Sequence, residues 1–370
     1  MQGTMKCGVY YGVKNVGIEE RPIPQITSKD VLVKVLRAGI CGSDTGAYNG
    51  GGLPYGIFPG MPFGHEFVGK IVEKGEDVAD DINIGDIVFV DPGKAKRAGM
   101  VMADMCGGFC EYVDVQNAKS GYNIYVLNPD INLDAAALIE PVSVGTRGAT
   151  CKPIDENANV VVLGAGPIGL SAAAGLIARG IKNVTVVDVV DWRLKIAEEI
   201  GAKTINTKNF DLREKLIEYY GAEKKADMNF AELDPKILAT LQELAAKGMT
   251  NISQAVPDVD LYIDAAGSVS LFEQIFAMSK HGSKYSVVAV YHEKLSLSGS
   301  NFMSNEADVY GSSGYTHETI LEVIDNIEHK RTAIEKIITK KFKYKDFVEA
   351  MAVAADKSSN NIKVILDFED

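Results

Sequence analysis

NVVVLGAGPIGLSAAAGLIA, residues 159–178, passes from an apolar run through a cluster of glycines into an Ala/Leu-rich stretch, with no charge anywhere. Its length and apolarity approach those of a membrane span. Gly164, Gly166, Pro167 and Gly169 nevertheless fall at one point, which suits a strand, a tight turn and a buried helix. The spacing Gly164-Ala165-Gly166-Pro167-Ile168-Gly169 is GxGxxG in the context that gives it meaning, after a strand and opening a helix. The first glycine allows the turn, the second lets the backbone approach a pyrophosphate, and the third lets helix and strand pack closely. Amides at the helix start, around Pro167 and Ile168, face the phosphate charge. The following strand, NVTVVD, ends in Asp188, where a carboxylate accepts from both ribose hydroxyls and repels a 2′-phosphate. NAD is therefore expected rather than NADP. Arg193 is placed either to stack near the adenine or to hold a salt bridge on its own helix. The competing reading of the turn is a dinucleotide-type domain that has lost its cofactor.

Outward from this stretch, strands and helices alternate: WRLKIAEEIGA, KTIN, DLYIDAAG and KYSVVAVY follow in order, the signature of βαβ units and a parallel sheet. Before it, from Gly12 to about Phe89, short β-rich runs (VLVKVLRAG, FVGKIVE, IVFV) are separated by Gly, Pro and Asp. The fold class is α/β, with residues 156–296 as a nucleotide-binding domain and the β-rich residues 1–155 as a separate one. About fifty charged, helix-prone residues, 209–257, exceed what a compact unit requires and are read as a helical surface insertion. Beyond Ser296, TILEVIDNIEHK and KDFVEAMAVAADK read as helices and IKVILDF as a final strand.

The 370 residues, 46% apolar and 24% charged, fit two globular domains rather than a small module or a disordered chain. A net charge of −12 repels phosphate backbones and anionic headgroups, so no nucleic-acid partner and no membrane partner is expected. The N-terminus lacks the apolar run of a secretory signal. Five widely spaced cysteines, Cys7, Cys41, Cys106, Cys110 and Cys151, point to a reducing, cytoplasmic setting rather than a disulfide framework.

Three residues of metal-binding type lie in suggestive places. Cys41 sits in GICGSD, His65 in GHE, and Glu140 in AALIEPVSVG. Thiolate, imidazole and carboxylate are the ligand types zinc prefers, and a catalytic zinc keeps one position open. Singly, each has another reading: Cys41 as a small core residue, His65 as a structural hydrogen-bonder, Glu140 as a capping or hinge carboxylate.

Together with the nucleotide turn they carry a resemblance. Gly64-His65-Glu66-Phe67-Val68-Gly69, then five residues and Gly75, matches the zinc signature GHExxGxxxxxG, and Cys41-Gly42-Ser43-Asp44 matches the first ligand loop. Over nearly its full length the sequence resembles the zinc-dependent medium-chain dehydrogenases/reductases. Glu140-Pro141 places it with the branch similar to sorbitol, butanediol and other polyol dehydrogenases. The resemblance implies a GroES-like β domain, residues 1–155 with a C-terminal return over 297–370, plus a Rossmann doubly wound parallel sheet over 156–296. It implies Cys41, His65 and Glu66 as ligands of one catalytic Zn²⁺, with Glu140 binding directly or through a water. Asp44 would orient His65, and Ser43 would touch the substrate hydroxyl and begin proton removal.

Several positions depart from that pattern. Relatives with a structural zinc use four closely spaced cysteines, whereas the lobe at about Pro92 to Met105 has none, so one zinc per chain and no structural zinc is expected. Gly46 and Arg147 stand where histidines are common, which removes the usual proton exit. The loop Asn49–Pro62, with Tyr48, Tyr55 and Phe58 nearby, is expected to line the cleft or to be plain surface. The implied activity is NAD-dependent oxidation of a secondary alcohol, a polyol, sugar alcohol or diol, to a ketone by a homotetramer or homodimer. The alternatives are a zinc-free NADPH enone or quinone reductase of the same superfamily and a non-catalytic dinucleotide-binding protein.

Overall fold

The computed structural model describes residues 1–95, 106–223, 234–246 and 255–369. They divide into two units: Met1–Arg147 with Gly314–Asp370, and Gly148–Ser313.

The second unit is built on a six-stranded sheet whose strands, numbered in chain order, are β1 (Asn159–Leu163), β2 (Asn183–Asp188), β3 (Lys203–Asn206), β4 (Leu261–Asp264), β5 (Lys284–Val287) and β6 (Asp308–Gly311). Their spatial order is 3-2-1-4-5-6, and every neighbouring pair is parallel. This is the doubly wound Rossmann arrangement, in which the chain reverses direction across the sheet between β1 and β4. The unbroken apolar run of β1 follows from this, since a strand covered on both faces needs no polar alternation; Val160, Val161 and Val162 are wholly buried. Helices Pro167–Ala178 and Asp191–Ile200 make the first crossovers. Sequence texture placed the domain change at 296/297, whereas the units change at Ser313/Gly314. The physical reason is β6, a four-residue strand too short to show a pattern, which pairs with β5 and closes the sheet edge.

The stretch read as a surface insertion is partly core. Helix Leu212–Tyr220 buries Leu212 and Leu216 beneath the sheet, in one apolar cluster with Val161, Ile205 and Phe272. Ala222–Glu223 pairs with Val256–Pro257, and Pro235–Ala246 is helical. Residues 224–233 and 247–254 of the insertion lie outside the described residues.

The first unit carries a seven-stranded sheet. Along one path it runs Ile338–Lys343, Lys363–Asp367, Val31–Gly39, Glu66–Lys74, Ile87–Val90 and Ile124–Val126, with Tyr112–Val115 also pairing to Val31–Gly39. A three-stranded sheet of Asn15–Pro22, Thr4–Gly12 and Met61–Pro62 adjoins it. This is the GroES-like domain, and its core gathers Val31, Val33, Val35, Phe63, Phe67, Phe109 and Phe347. Strand Lys363–Asp367 lies beside Val31–Gly39 with Ile365 opposite Gly39, so residues far apart in sequence complete one sheet. Among the described residues, no helix is long and apolar enough to cross a membrane.

Candidate metal centre and dinucleotide turn

Cys41, His65 and Glu66 converge in the first unit, with one donor atom from each within 4.8 Å of the others. The local sequence explains the convergence. Strand Val31–Gly39 ends at the site, and Gly39 pairs directly with Glu66, the first residue of the next strand. A Cβ on Gly39 would lie 2.3 Å from Glu66 Oε2, so only glycine leaves room for the carboxylate. Cys41 is the N-cap of helix Gly42–Gly50, in extended conformation. Its N–H donates to Asp44 Oδ2 at 2.8 Å, which fixes the thiol at the helix start. His65 and Glu66 are 5% and 1% exposed. Burial, then the Glu66 carboxylate, pushes the Cys41 thiol up, while the neighbouring His65 and Lys363 pull it down. A sulfur, a ring nitrogen and a carboxylate with too little positive charge to hold the thiolate are a donor set suited to a divalent ion, and zinc fits their chemistry.

Sequence reasoning missed Lys363. Its Nζ donates to both oxygens of Glu66, at 2.6 and 2.8 Å, and to Ile40 O at 3.1 Å. The two side chains are 2% and 0% exposed, so this is a buried ion pair. Burial works against the lysine's charge, yet Glu66, Cys41 and Glu140 outweigh it and raise its pKa. Nothing in the strand KVILD, which is buried at every residue and carries a charge at each end, singles Lys363 out in the sequence.

Glu140 stands in the first turn of helix Ile139–Thr150, 8% exposed. It acts electrostatically on Lys363 and on Tyr315, but it lies outside the Cys41, His65 and Glu66 triad. Ser43 occupies the first turn after Cys41, half-buried. The vacancy that Gly46 leaves on the helix is taken by Tyr55, whose hydroxyl lies 2.3 Å from where a Cβ would stand. Gly46 is three residues beyond Ser43, on the same helix face. Of the lobe expected to lack a structural zinc, residues 96–105 lie outside the described residues. Cys106 and Cys110 are buried.

In the second unit the glycine turn joins β1 to helix Pro167–Ala178 with Gly166 as N-cap and Pro167 at its start. A Cβ on Gly169 would lie 1.9 Å from Gly164 O, the close helix–strand approach the motif predicts. Gly166 faces open space, and Gly166, Pro167 and Ile168 are half-buried, leaving room for a phosphate. Asp188, at the end of β2, accepts from Ala165 N at 2.7 Å through one oxygen and from Val189 N and Val190 N through the other. It thereby ties the turn to the strand end. Arg193 lies over the Trp192 ring at 5.4 Å.

Comparison with known proteins matches both parts of the chain. A model of the zinc-binding dehydrogenases matches residues 167–329, and one of the alcohol dehydrogenase GroES-like domain matches residues 27–123. Sorbitol dehydrogenase of Bacillus subtilis is 26% identical, the alignment covering 98% of this chain and 97% of that protein. L-threonine 3-dehydrogenase of Streptomyces coelicolor is 28% identical over 94% of each. The crystal structure of galactitol-1-phosphate dehydrogenase from Escherichia coli superposes with a TM-score of 0.76 at 25% identity, covering 98% of this chain and 100% of that one.

Proposed function

We propose that the chain is a zinc-dependent medium-chain dehydrogenase, an oxidoreductase of the alcohol dehydrogenase type, and that it oxidises a secondary alcohol group of a polyol, sugar alcohol or diol to a ketone, passing hydride to NAD⁺. The carrying observation is the triad Cys41, His65 and Glu66 within 4.8 Å. The relatives named sorbitol and galactitol-1-phosphate dehydrogenase support the substrate class.

Cys41 and His65 would hold one zinc per chain, with Glu66 and Glu140 completing the set directly or through a water. Bound there, the ion supplies a Lewis acid that lowers the pKa of the substrate hydroxyl. Ser43 accepts the hydroxyl proton and passes it outward. Lys363 balances the charge of Glu66, so the site carries less negative charge than its ligands alone would give. Asp188 selects NAD by facing the adenosine ribose. The redox chemistry is the cofactor's, and the chain supplies position and field. In the cell we place the enzyme in the cytoplasm as a homotetramer or homodimer acting on a small-molecule alcohol.

The test is NAD⁺ reduction by purified protein against linear polyols, diols, inositols, their phosphates and L-threonine, with metal analysis of the same preparation. Stoichiometric zinc and turnover on at least one polyol are expected, with both lost in Cys41→Ala while NAD still binds. Full activity in metal-free Cys41→Ala would remove the mechanism, and turnover of NADP as fast as NAD would remove the role of Asp188.

A further inference from the structure

We propose that Cys7 and Cys110 are a disulfide-forming pair, a modification site separate from the metal ligands, that staples the N-terminal strand to the segment supporting the His65 loop. The two residues stand directly opposite each other in an isolated antiparallel bridge between strand Thr4–Gly12 and the residues just before strand Tyr112–Val115. The flanking hydrogen bonds define the kind of pair. Gly8 N donates to Phe109 O at 2.7 Å, and Glu111 N donates to Lys6 O at 3.0 Å. Both bonds belong to the neighbours of the cysteines and neither to the cysteines themselves, so Cys7 and Cys110 form a non-hydrogen-bonded pair. In that geometry the Cα atoms are about 4.5 Å apart and the side chains lean together on one face. Disulfides span Cα separations of roughly 4.4 to 6.8 Å, so the bond can close without a backbone shift. The side chains do share one face, for both are buried in a single small cluster with Met5, Val9, Ile23 and Leu32.

The step is a two-electron oxidation. Both S–H bonds break, one S–S bond forms, and two protons and two electrons pass to an oxidant. With hydrogen peroxide the products are two waters; with a low-molecular-weight disulfide they are two thiols. At 0% and 2% exposure the thiols react when the N-terminal strand opens locally. The same burial shields the finished bond from reductants.

The site matters because of what Cys110 is joined to. Phe109 N donates to Phe63 O at 3.0 Å and Gly108 N donates to Gly64 O at 2.8 Å, so the stapled segment is hydrogen-bonded to the two residues preceding His65. Closing a loop of about 100 residues constrains the unfolded chain strongly, and in the folded chain the bond anchors the element that presents the imidazole.

The experiment oxidises zinc-loaded Cys106→Ser protein in its native state with hydrogen peroxide, blocks remaining thiols with N-ethylmaleimide, and maps tryptic peptides. The Cys106 change removes the second thiol from the peptide spanning residues 98–119. A linked species of peptides 7–14 and 98–119, two hydrogens lighter than their sum, is expected. It should form without denaturant and raise the melting midpoint by on the order of 10 °C relative to the sample never exposed to peroxide. Absence of the linked peptide while other thiols are oxidised would overturn the assignment, as would its appearance only after denaturation. An equal oxidation-dependent melting shift in Cys7→Ala would overturn it independently.

Discussion

Replacing Lys363 with methionine keeps an unbranched side chain, shorter by the terminal nitrogen, and removes its charge. What remains is the Glu66 carboxylate, 1% exposed, whose two oxygens accepted from the ammonium at 2.6 and 2.8 Å. Removing one partner of a buried ion pair costs about 3 to 5 kcal/mol, because the other charge is left uncompensated. At roughly 2 to 4 °C per kcal/mol for a unit of this size, the melting midpoint should fall by on the order of 10 °C. The loss of the bond to Ile40 O adds to this. Two controls separate the charge from the packing. Glu66→Gln in the same chain removes the stranded carboxylate, so the double variant should recover most of the loss. Excess zinc, offering Glu66 another cation, should narrow the gap between Lys363→Met and the parent. The assay is equilibrium urea unfolding of the four proteins with and without zinc, read as a double-mutant cycle. A cost below about 1 kcal/mol for Lys363→Met, or no coupling to Glu66→Gln, would refute the reasoning.

Gly46→Ala should break the usual gain of up to about 1 kcal/mol for such a change in a helix, because its Cβ meets the Tyr55 ring; in a Tyr55→Ala background the same change should become stabilising, and additivity of the two would contradict the packing. Gly169→Ala should destabilise the protein by about 1 to 3 kcal/mol and abolish NADH fluorescence enhancement, since its Cβ would lie 1.9 Å from Gly164 O; unaltered NADH binding would refute the close approach. Asp91 is 4% exposed, and burial pushes its carboxyl up, only partly countered by hydrogen bonds from Gly93 N and the Tyr315 hydroxyl. A carboxyl raised in the folded state contributes stability below its unfolded value of about 3.9, which is lost as pH rises through the folded value. Asp91→Asn should therefore be more stable than the parent at pH 7, with the advantage vanishing towards pH 4; a difference independent of pH would argue against it.

Much of this was legible because the constraints are local. A turn that brings a helix onto its own strand requires glycine at fixed spacing, so residues 164–169 are legible from the sequence alone. A sulfur and an imidazole in glycine-flanked loops, among only five cysteines and five histidines, made Cys41 and His65 candidate metal ligands. Lys363 was not legible, because 38 basic residues give no reason to single out one. Its role comes from sheet pairing with Val31–Gly39, a contact no local pattern encodes. The same holds for β6, whose four residues join the sheet only through their neighbour, and for helix Leu212–Tyr220, whose charged surface hid two core leucines. Tyr55 belongs to a loop that the sequence marks as cleft or surface, but its seat over Gly46 depends on how that loop folds back.

Glu66 and Lys363 are separated by 297 positions, and the whole of the second unit lies between them in the chain. A ribosome must therefore deliver some three hundred residues before this carboxylate can meet its counter-charge. Until then the nascent first unit carries an acidic group with no cation to accompany it into the interior, and dissolved metal is the natural stand-in. Protein made under metal starvation should accordingly be captured more often by chaperones and proteases during synthesis than after it.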